Sequence, residues 1–410
     1  MPDASKMTNR PIKRGHKFLN TPGPTHVPDR VLSAMHRQTM DLSDPEFLAA
    51  SMSCFEDLKR VFGTEGEIFL YAANGHGGWE AALVNTLQPG DTVLVPETGN
   101  FSNSWSNMTR QLGIVVETIP GDWRRAIDPA AITERLQQDK THQIKAVLLI
   151  QTETATGVTN DIPACRKAID AAGHPALMLV DTIASLGTIP FRMDEWGVDV
   201  TMAASQKGLM MAPGLGICAA SEKAIKVHQA QPGHRAYWDW DTRMKAEHYR
   251  KFCGTAPQLM IFGLRAALDM IFEEGLETIF ERHRVLGGAT RAAIDHWSGA
   301  GAVELNCLDR AHASDGVSTI LVKDGFDADA IRTLCRDEMM VGLGGGLGAL
   351  SGKAFRIGHM GDTNASMLYA AIASVEATLS YMDVPHTPGG VTAAIEHVVA
   401  AKKRMGPTTF

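Results

Sequence analysis

Two residues in this sequence could do chemistry together. Lys207 lies in the run Ala204-Ser205-Gln206-Lys207-Gly208, and Asp181 closes the apolar run from Pro175. A lysine among small residues loses contact with water, which depresses its pKa, and the neutral amine can form an imine with an aldehyde. A carboxylate at the end of a buried strand can keep a ring nitrogen protonated by raising that nitrogen's pKa. The order and spacing of the two are those by which pyridoxal 5'-phosphate is held, the lysine as Schiff base and the aspartate against the pyridinium nitrogen. Asn74-Gly75-His76-Gly77-Gly78 offers a third part, because it falls where a strand ends and a helix begins. Glycines there admit a phosphate close to the backbone, and the helix N-terminus supplies unpaired N–H groups. Each feature alone has a plainer reading: a surface loop lysine, an aspartate capping the turn at Thr182, a tight turn with a hydrogen-bonded histidine. Their order along one chain favours the chemistry.

Elements that could position these residues alternate through the middle of the sequence. Ile68 to Ala72 reads as a strand, Gly78 to Leu87 as a helix and Asp91 to Val95 as the next strand. Ile144 to Ile150, Ala176 to Val180 and Val198 to Ala203 are short apolar runs, with helical spacing over Ile162 to Ala172. Runs of this kind suit strands buried on both faces of a parallel sheet, so the large domain is expected to be α/β. Gly216 to Ala220 reads as one more strand, followed by long amphipathic helices over Pro257 to Glu274 and Leu276 to Trp297. Beyond a domain change near Arg282, Val317 to Val322, Ala328 to Met339, Ala354 to Gly358 and Ala365 to Met382 read β-α-β-α, a compact α+β unit. Gly342 to Gly348 is read as a flexible glycine-rich loop, and Val391 to Met405 as a last helix. The expected division is an arm over 1–25, a large domain over 26–282 and a small domain over 283–410.

Composition narrows the class. With 410 residues and 44% apolar content the chain can bury substantial cores. A net charge of −7 with scattered Lys and Arg argues against nucleic acid as the partner. Six cysteines stand far apart without metal-ligand spacing, so neither a disulfide framework nor a metal is expected. Met1 to Gly15 is polar and basic, and no apolar run is long enough to span a bilayer. A cytoplasmic enzyme without a membrane segment is the expectation.

Six ordered motifs carry a family resemblance: Pro22 to Thr25, Gly75 to Ala81, Glu153 to Val158, Val180-Asp181, Ser205 to Gly208 and Arg356 to Gly361. Spread over about Leu19 to Met382, they resemble the class V, fold type I aminotransferases that use pyridoxal 5'-phosphate, most closely the alanine/serine-glyoxylate group. The resemblance implies a mainly parallel seven-stranded sheet between helices plus a smaller C-terminal α+β domain. It also implies ping-pong transfer of an amino group from serine, alanine or aspartate to glyoxylate, giving glycine. Lys207 would move the proton and Asp181 would face the ring nitrogen. Asn74, Gly75, His76 and Gln206 would contact the phosphate, Phe101 and Ile183 would cover the ring faces, and Thr154 would bond near the ring hydroxyl. Arg356 would clamp the substrate carboxylate, for which a planar fork suits better than an ammonium, with Gly23 beside it. The family is a homodimer with shared sites, and Thr255, in Phe252 to Pro257, would reach the neighbour's phosphate. The sequence departs from the family at Phe252, where relatives usually carry tyrosine, and at Asp41 to Phe47, where many show a His-Arg pair. Alternatives on the same scaffold are a transaminase for pyruvate or an unusual amine, and a desulfurase or lyase. The last needs a reactive cysteine on a mobile loop, and Gly342 to Ser351 has none.

Overall fold

Alternation of side chains across the strands builds the larger sheet. In the computed structural model, which describes residues 15–231, 233 and 235–405, Leu177 and Leu179 enter one core while Met178 and Val180 enter another. All four are buried, so both faces of the sheet must be covered by helices. In chain order, β1 (Phe18–Asn20), α1 (Asp29–Met35) and α2 (Pro45–Phe62) precede β2 (Glu67–Ala72), α3 (Gly75–Thr86), β3 (Thr92–Pro96) and α4 (Asn100–Gln111). Next come β4 (Val115–Ile119), α5 (Pro129–Gln138), β5 (Ile144–Ile150) and a short hairpin of β6 (Thr152–Glu153) with β7 (Val158–Thr159). Then follow α6 (Ile162–Ala171), β8 (Leu177–Asp181), β9 (Val200–Ala204) and β10 (Leu215–Ala220).

The seven-stranded sheet has the order β2-β10-β9-β8-β5-β3-β4. Every neighbouring pair is parallel except the two that β10 makes. This is the mainly parallel α/β sheet that the apolar runs predict. Because β10 opposes both of its neighbours, β2 runs in the same direction as β9, β8 and β5. The C-terminal ends of these four strands therefore share one edge, where open α/β sheets bind ligands.

Beyond this sheet, α7 (Glu222–Ala230), α8 (Trp240–Arg243) and α9 (Gln258–Glu274) lead to α10 (Leu276–Trp297). Along α10 the packing changes partner: Ile279 joins the core under the large sheet, whereas Val285 and Leu286 join a separate one. That second core is roofed by β11 (Val303–Leu305), β12 (Val317–Val322), β13 (Val341–Gly345) and β14 (Ala354–Gly358), with α11 (Ala328–Asp337), α12 (Ala365–Tyr381) and α13 (Gly390–Met405). The strand order is β1-β13-β14-β12-β11.

Two features differ from the sequence reading. The glycine-rich stretch from Gly342 is not a loop over its first half, since β13 covers Val341–Gly345 and pairs with β14 on one side and β1 on the other. Glycine weakens an isolated strand, yet here neighbours press on both faces. A Cβ on Gly344 would lie 2.8 Å from Pro22 Cδ, and one on Gly345 would lie 3.2 Å from Arg332 Nε. The second difference is β1, which joins the small sheet in parallel, with Phe18 opposite Val341. The first fourteen residues of the arm and residues 406–410 lie outside the described residues.

Candidate active site

Loops leaving the shared edge of the sheet converge on one cavity of about 270 Å³. After β2 come Asn74, Gly75 and His76; after β5, Thr152 and Thr154; at the end of β8, Asp181 and Ile183; after β9, Gln206 and Lys207. Gly23 and Pro24 of the N-terminal segment and Phe101 of α4 add to the wall.

The first loop is a capped helix start. Asn74 Oδ1 accepts from the backbone N–H groups of His76 (3.1 Å) and Gly77 (3.4 Å), which offsets the poor helix propensity of the glycines that follow. Gly75 is required by a close approach, because a Cβ there would lie 2.5 Å from Ile183 Cδ1.

Asp181 is 4% exposed and both of its oxygens are oriented. Ile183 N–H donates to Oδ1 at 2.6 Å and the Trp79 indole N–H donates to Oδ2 at 2.9 Å. Burial nevertheless pushes its carboxyl up to about 6, against the pull of those donors and of Lys207. A carboxylate held so far from water favours a cation beside it. Trp79 is fixed in turn by stacking on Trp105, with ring centroids 5.7 Å apart.

Lys207 sits under the N-terminal segment. Its Nζ donates to Pro22 O at 2.5 Å, and Thr25 ties the same loop down through Thr25 N–H to Gln206 O (3.1 Å) and Thr25 Oγ1 to Lys207 O (3.2 Å). Gly23 has φ +120°, and a Cβ there would lie 2.3 Å from Lys207 Nζ. Burial, aided by Arg356, lowers the amine to about 8 despite the opposing pull of Asp181 and Glu153. Half of it is then neutral in mildly alkaline solution, as a nucleophile or base requires.

Arg356 stands on β14, behind Thr154. Its Nε donates to Gly345 O (2.8 Å) and its Nη1 to Thr154 O (3.0 Å). It is 8% exposed, and no carboxylate among the described residues pairs with it. Burial lowers its pKa to about 10. Thr255 is not brought to this cavity within one chain; it is exposed and lines a separate groove with Met40 and Leu42. Phe252 is buried and packs edge-on against Phe55, with centroids 5.9 Å apart.

Sequence reasoning gave no role to two residues, one lining the cavity and one beside it. Trp79 lines the cavity and orients Asp181; its place one turn into α3, after the Asn74 cap, was the available signal. Glu153 is fully buried next to Thr154 and accepts N–H groups from the first turn of α4. Its motif is visible in the sequence, but its partners lie about fifty positions away.

These titrations fix a pH dependence for the cofactor-free protein. Asp181 rises from 3.8 to about 6 on folding, and Glu153 from 4.5 to about 7, chiefly through burial. Each binds more protons folded than unfolded in those windows, so their contribution to stability is full at low pH and is lost as pH rises through 6 and 7. Lys207, lowered on folding, acts in the opposite sense only above about pH 8. Asp181→Asn should therefore be more stable relative to wild type at pH 7.5 than at pH 4, by about 1–3 kcal/mol. Denaturant unfolding of both cofactor-free proteins at the two pH values measures this difference; an equal gap would contradict it.

The donor set suits a flat aromatic ring that carries a nitrogen at one end and an anion at another. Asp181 would meet the nitrogen, Phe101 and Ile183 offer apolar walls, and the capped start of α3 would suit the anion. Gln206 Oε1 is buried without a partner among the described residues, an acceptor left open to an N–H or O–H donor. The chain matches the Aminotransferase class-V family model over residues 17–360. It is 45% identical to the serine–glyoxylate aminotransferase of Methylorubrum extorquens over 398 residues, covering 95% of this chain and 97% of that one. It is 39% identical to the L-aspartate–glyoxylate aminotransferase of Paracoccus denitrificans, covering 93% and 97% of the two chains. The crystal structure of ureidoglycine-glyoxylate aminotransferase from Bacillus subtilis superposes with a TM-score of 0.86 at 26% identity, covering 95% of this chain and 99% of that one.

Proposed function

Since the chain belongs to the class-V aminotransferase family, we propose that it transfers the amino group of a small L-amino acid, serine, alanine or aspartate, to glyoxylate, giving glycine and a 2-oxo acid by a ping-pong route. One observation carries the substrate class: the Arg356 guanidinium is buried with no carboxylate partner among the described residues. A buried cation is costly until an anion pairs with it, and both an amino acid and glyoxylate bring a carboxylate.

The family implies pyridoxal 5'-phosphate. When bound, it supplies an aldehyde that captures the amine and a protonated ring that withdraws electrons from Cα. The residues of this chain have separate tasks. Asn74, Gly75, His76 and Gln206 would hold the phosphate, Phe101 and Ile183 would enclose the ring, Thr154 would bond near its hydroxyl, and Asp181 would keep its nitrogen protonated. Lys207 Nζ, half neutral at about pH 8, would take the proton from the donor's Cα. Arg356 and the Gly23 backbone would orient the carboxylate, with the guanidinium plane held by Thr154 O and Gly345 O.

Three further assignments rest on the same reading. Two copies would share the site, with Thr255 reaching the partner's phosphate; a single-chain mass by sedimentation would remove this. Six free cysteines, five of them buried, suit a reducing cytoplasm, and no helix among the described residues is long and apolar enough to cross a membrane; fractionation of cells tests it. Desulfuration is disfavoured because no cysteine among the described residues lines the cavity.

Serine, alanine and aspartate, each offered with glyoxylate and with pyruvate, test the function: at least one donor should yield glycine from glyoxylate, and failure of every donor would refute it. Arg356→Ala should lower kcat/KM by roughly 10²-fold, most of it in the KM values of both substrates, since a charge-assisted fork is lost. Steady-state kinetics with an unchanged KM would remove Arg356 from the site.

A further inference from the structure

The mechanism above leaves one buried acid unused. Glu153, at the end of β6, is 0% exposed, and three backbone N–H groups donate to it. Phe101 (3.0 Å) and Ser102 (3.2 Å) donate to Oε2, and Ala155 (3.0 Å) donates to Oε1. We propose that Glu153 is a positioning residue of this active site, setting the Phe101 wall through the first turn of α4 and the Arg356 guanidinium through the turn at 153–155.

The first turn of a helix needs an acceptor for its free N–H groups. At the start of α4 the capping position is Gly99, which has no side chain to supply one. Glu153 supplies it from a different strand, and Gly99 makes room for that reach, since a Cβ there would lie 2.5 Å from Glu153 Cγ. The residue whose N–H is held, Phe101, is itself a wall of the cavity. At the other oxygen, the bond from Ala155 N–H closes a turn around Thr154, whose carbonyl accepts from Arg356 Nη1 at 3.0 Å. One carboxylate thus fixes both the aromatic wall and the backbone oxygen that aims the guanidinium. The ionisable groups facing it are Asp181 of β8, Lys207 after β9 and Arg356 of β14. Its negative charge favours the protonated forms of Lys207 and Arg356.

The inference rests on the transaminase reading above, and its test separates the two. Glu153→Gln keeps the size and one acceptor oxygen, but it sets an NH₂ group against the Ala155 N–H and removes the charge. In the holoenzyme the KM for the amino donor should rise about tenfold while kcat changes less than about threefold, as for loss of one charge-assisted contact behind a binding group. In the cofactor-free protein the pH midpoint for reductive methylation of Lys207, read by mass spectrometry of its peptide, should move down. Glu153→Asp keeps the charge on a shorter stem, so it should restore the midpoint while leaving KM raised. Gly99→Ala, which crowds Glu153 without changing its chemistry, should reproduce the KM effect and serves if the glutamine variant does not fold. A variant with wild-type KM and midpoint and only a lower melting temperature would overturn the proposal and make Glu153 a plain helix cap. A wild-type enzyme without transaminase activity would instead refute the underlying reading, and the methylation midpoint would still report on Glu153.

Discussion

Lys207→Ala should lower kcat with every amino donor by at least about 10⁴-fold, the upper range for loss of a positioned acid-base group. No other group replaces it. Among the described residues Nζ is the only lysine nitrogen lining the cavity, it reaches Pro22 O at 2.5 Å, and its surroundings lower its pKa to about 8. The carboxyls of Asp181 and Glu153 are each engaged by N–H donors, and Arg356 stays protonated throughout the useful pH range. A stopped-flow record of a single turnover with excess donor measures the effect. Partial recovery on adding a small primary amine would show that what was lost is proton transfer rather than fold. Near wild-type turnover in the variant would end the mechanism.

Asp181→Asn should have the second largest effect, roughly 10²–10³-fold in kcat, comparable to removal of a preorganised charge-stabilising group. The substitution preserves shape closely. One amide oxygen can still accept from Ile183 N–H or from the Trp79 indole, but not both, because the NH₂ group must face one of them. A neutral amide also cannot hold a proton on a neighbouring ring nitrogen. Binding of the cofactor should weaken far less than kcat, because the residues proposed to hold its phosphate and ring faces lie elsewhere. Cofactor titration beside steady-state kinetics separates the two quantities; an equal loss in both would assign Asp181 to binding alone.

How much of this was legible in the sequence depended on how local the physical signal was. Asp181 and Lys207 follow runs of apolar residues, and Asn74 precedes a glycine cluster, so chain order alone brought them to one sheet edge. Asn100–Gln111 gives no comparable sign, since it is rich in Asn and Ser. It is helical because Phe101 and Trp105 pack inward and Glu153 supplies a cap from another strand. The glycines of β13 read as a loop because glycine disfavours strands in isolation, and the crowding by Pro22 and Arg332 that demands them is tertiary. Trp79 was visible as a residue, but its indole bond to Asp181 spans 102 positions. Arg356 was placed by family resemblance, and its lack of a carboxylate partner became visible only in three dimensions.

The path of the N-terminal segment constrains how such a chain can be made. Phe18 to Asn20 pairs with residues 341–343, and Pro22 covers Lys207. A ribosome therefore releases the first strand long before its partner exists, and contacts of such wide sequence separation form slowly. The large sheet has all seven of its strands by Ala220, yet the last wall of the catalytic cavity cannot be anchored until β13 has emerged. Residues 18–22 are thus made early but fixed late, and a chain stalled after the large sheet would expose its reactive amine.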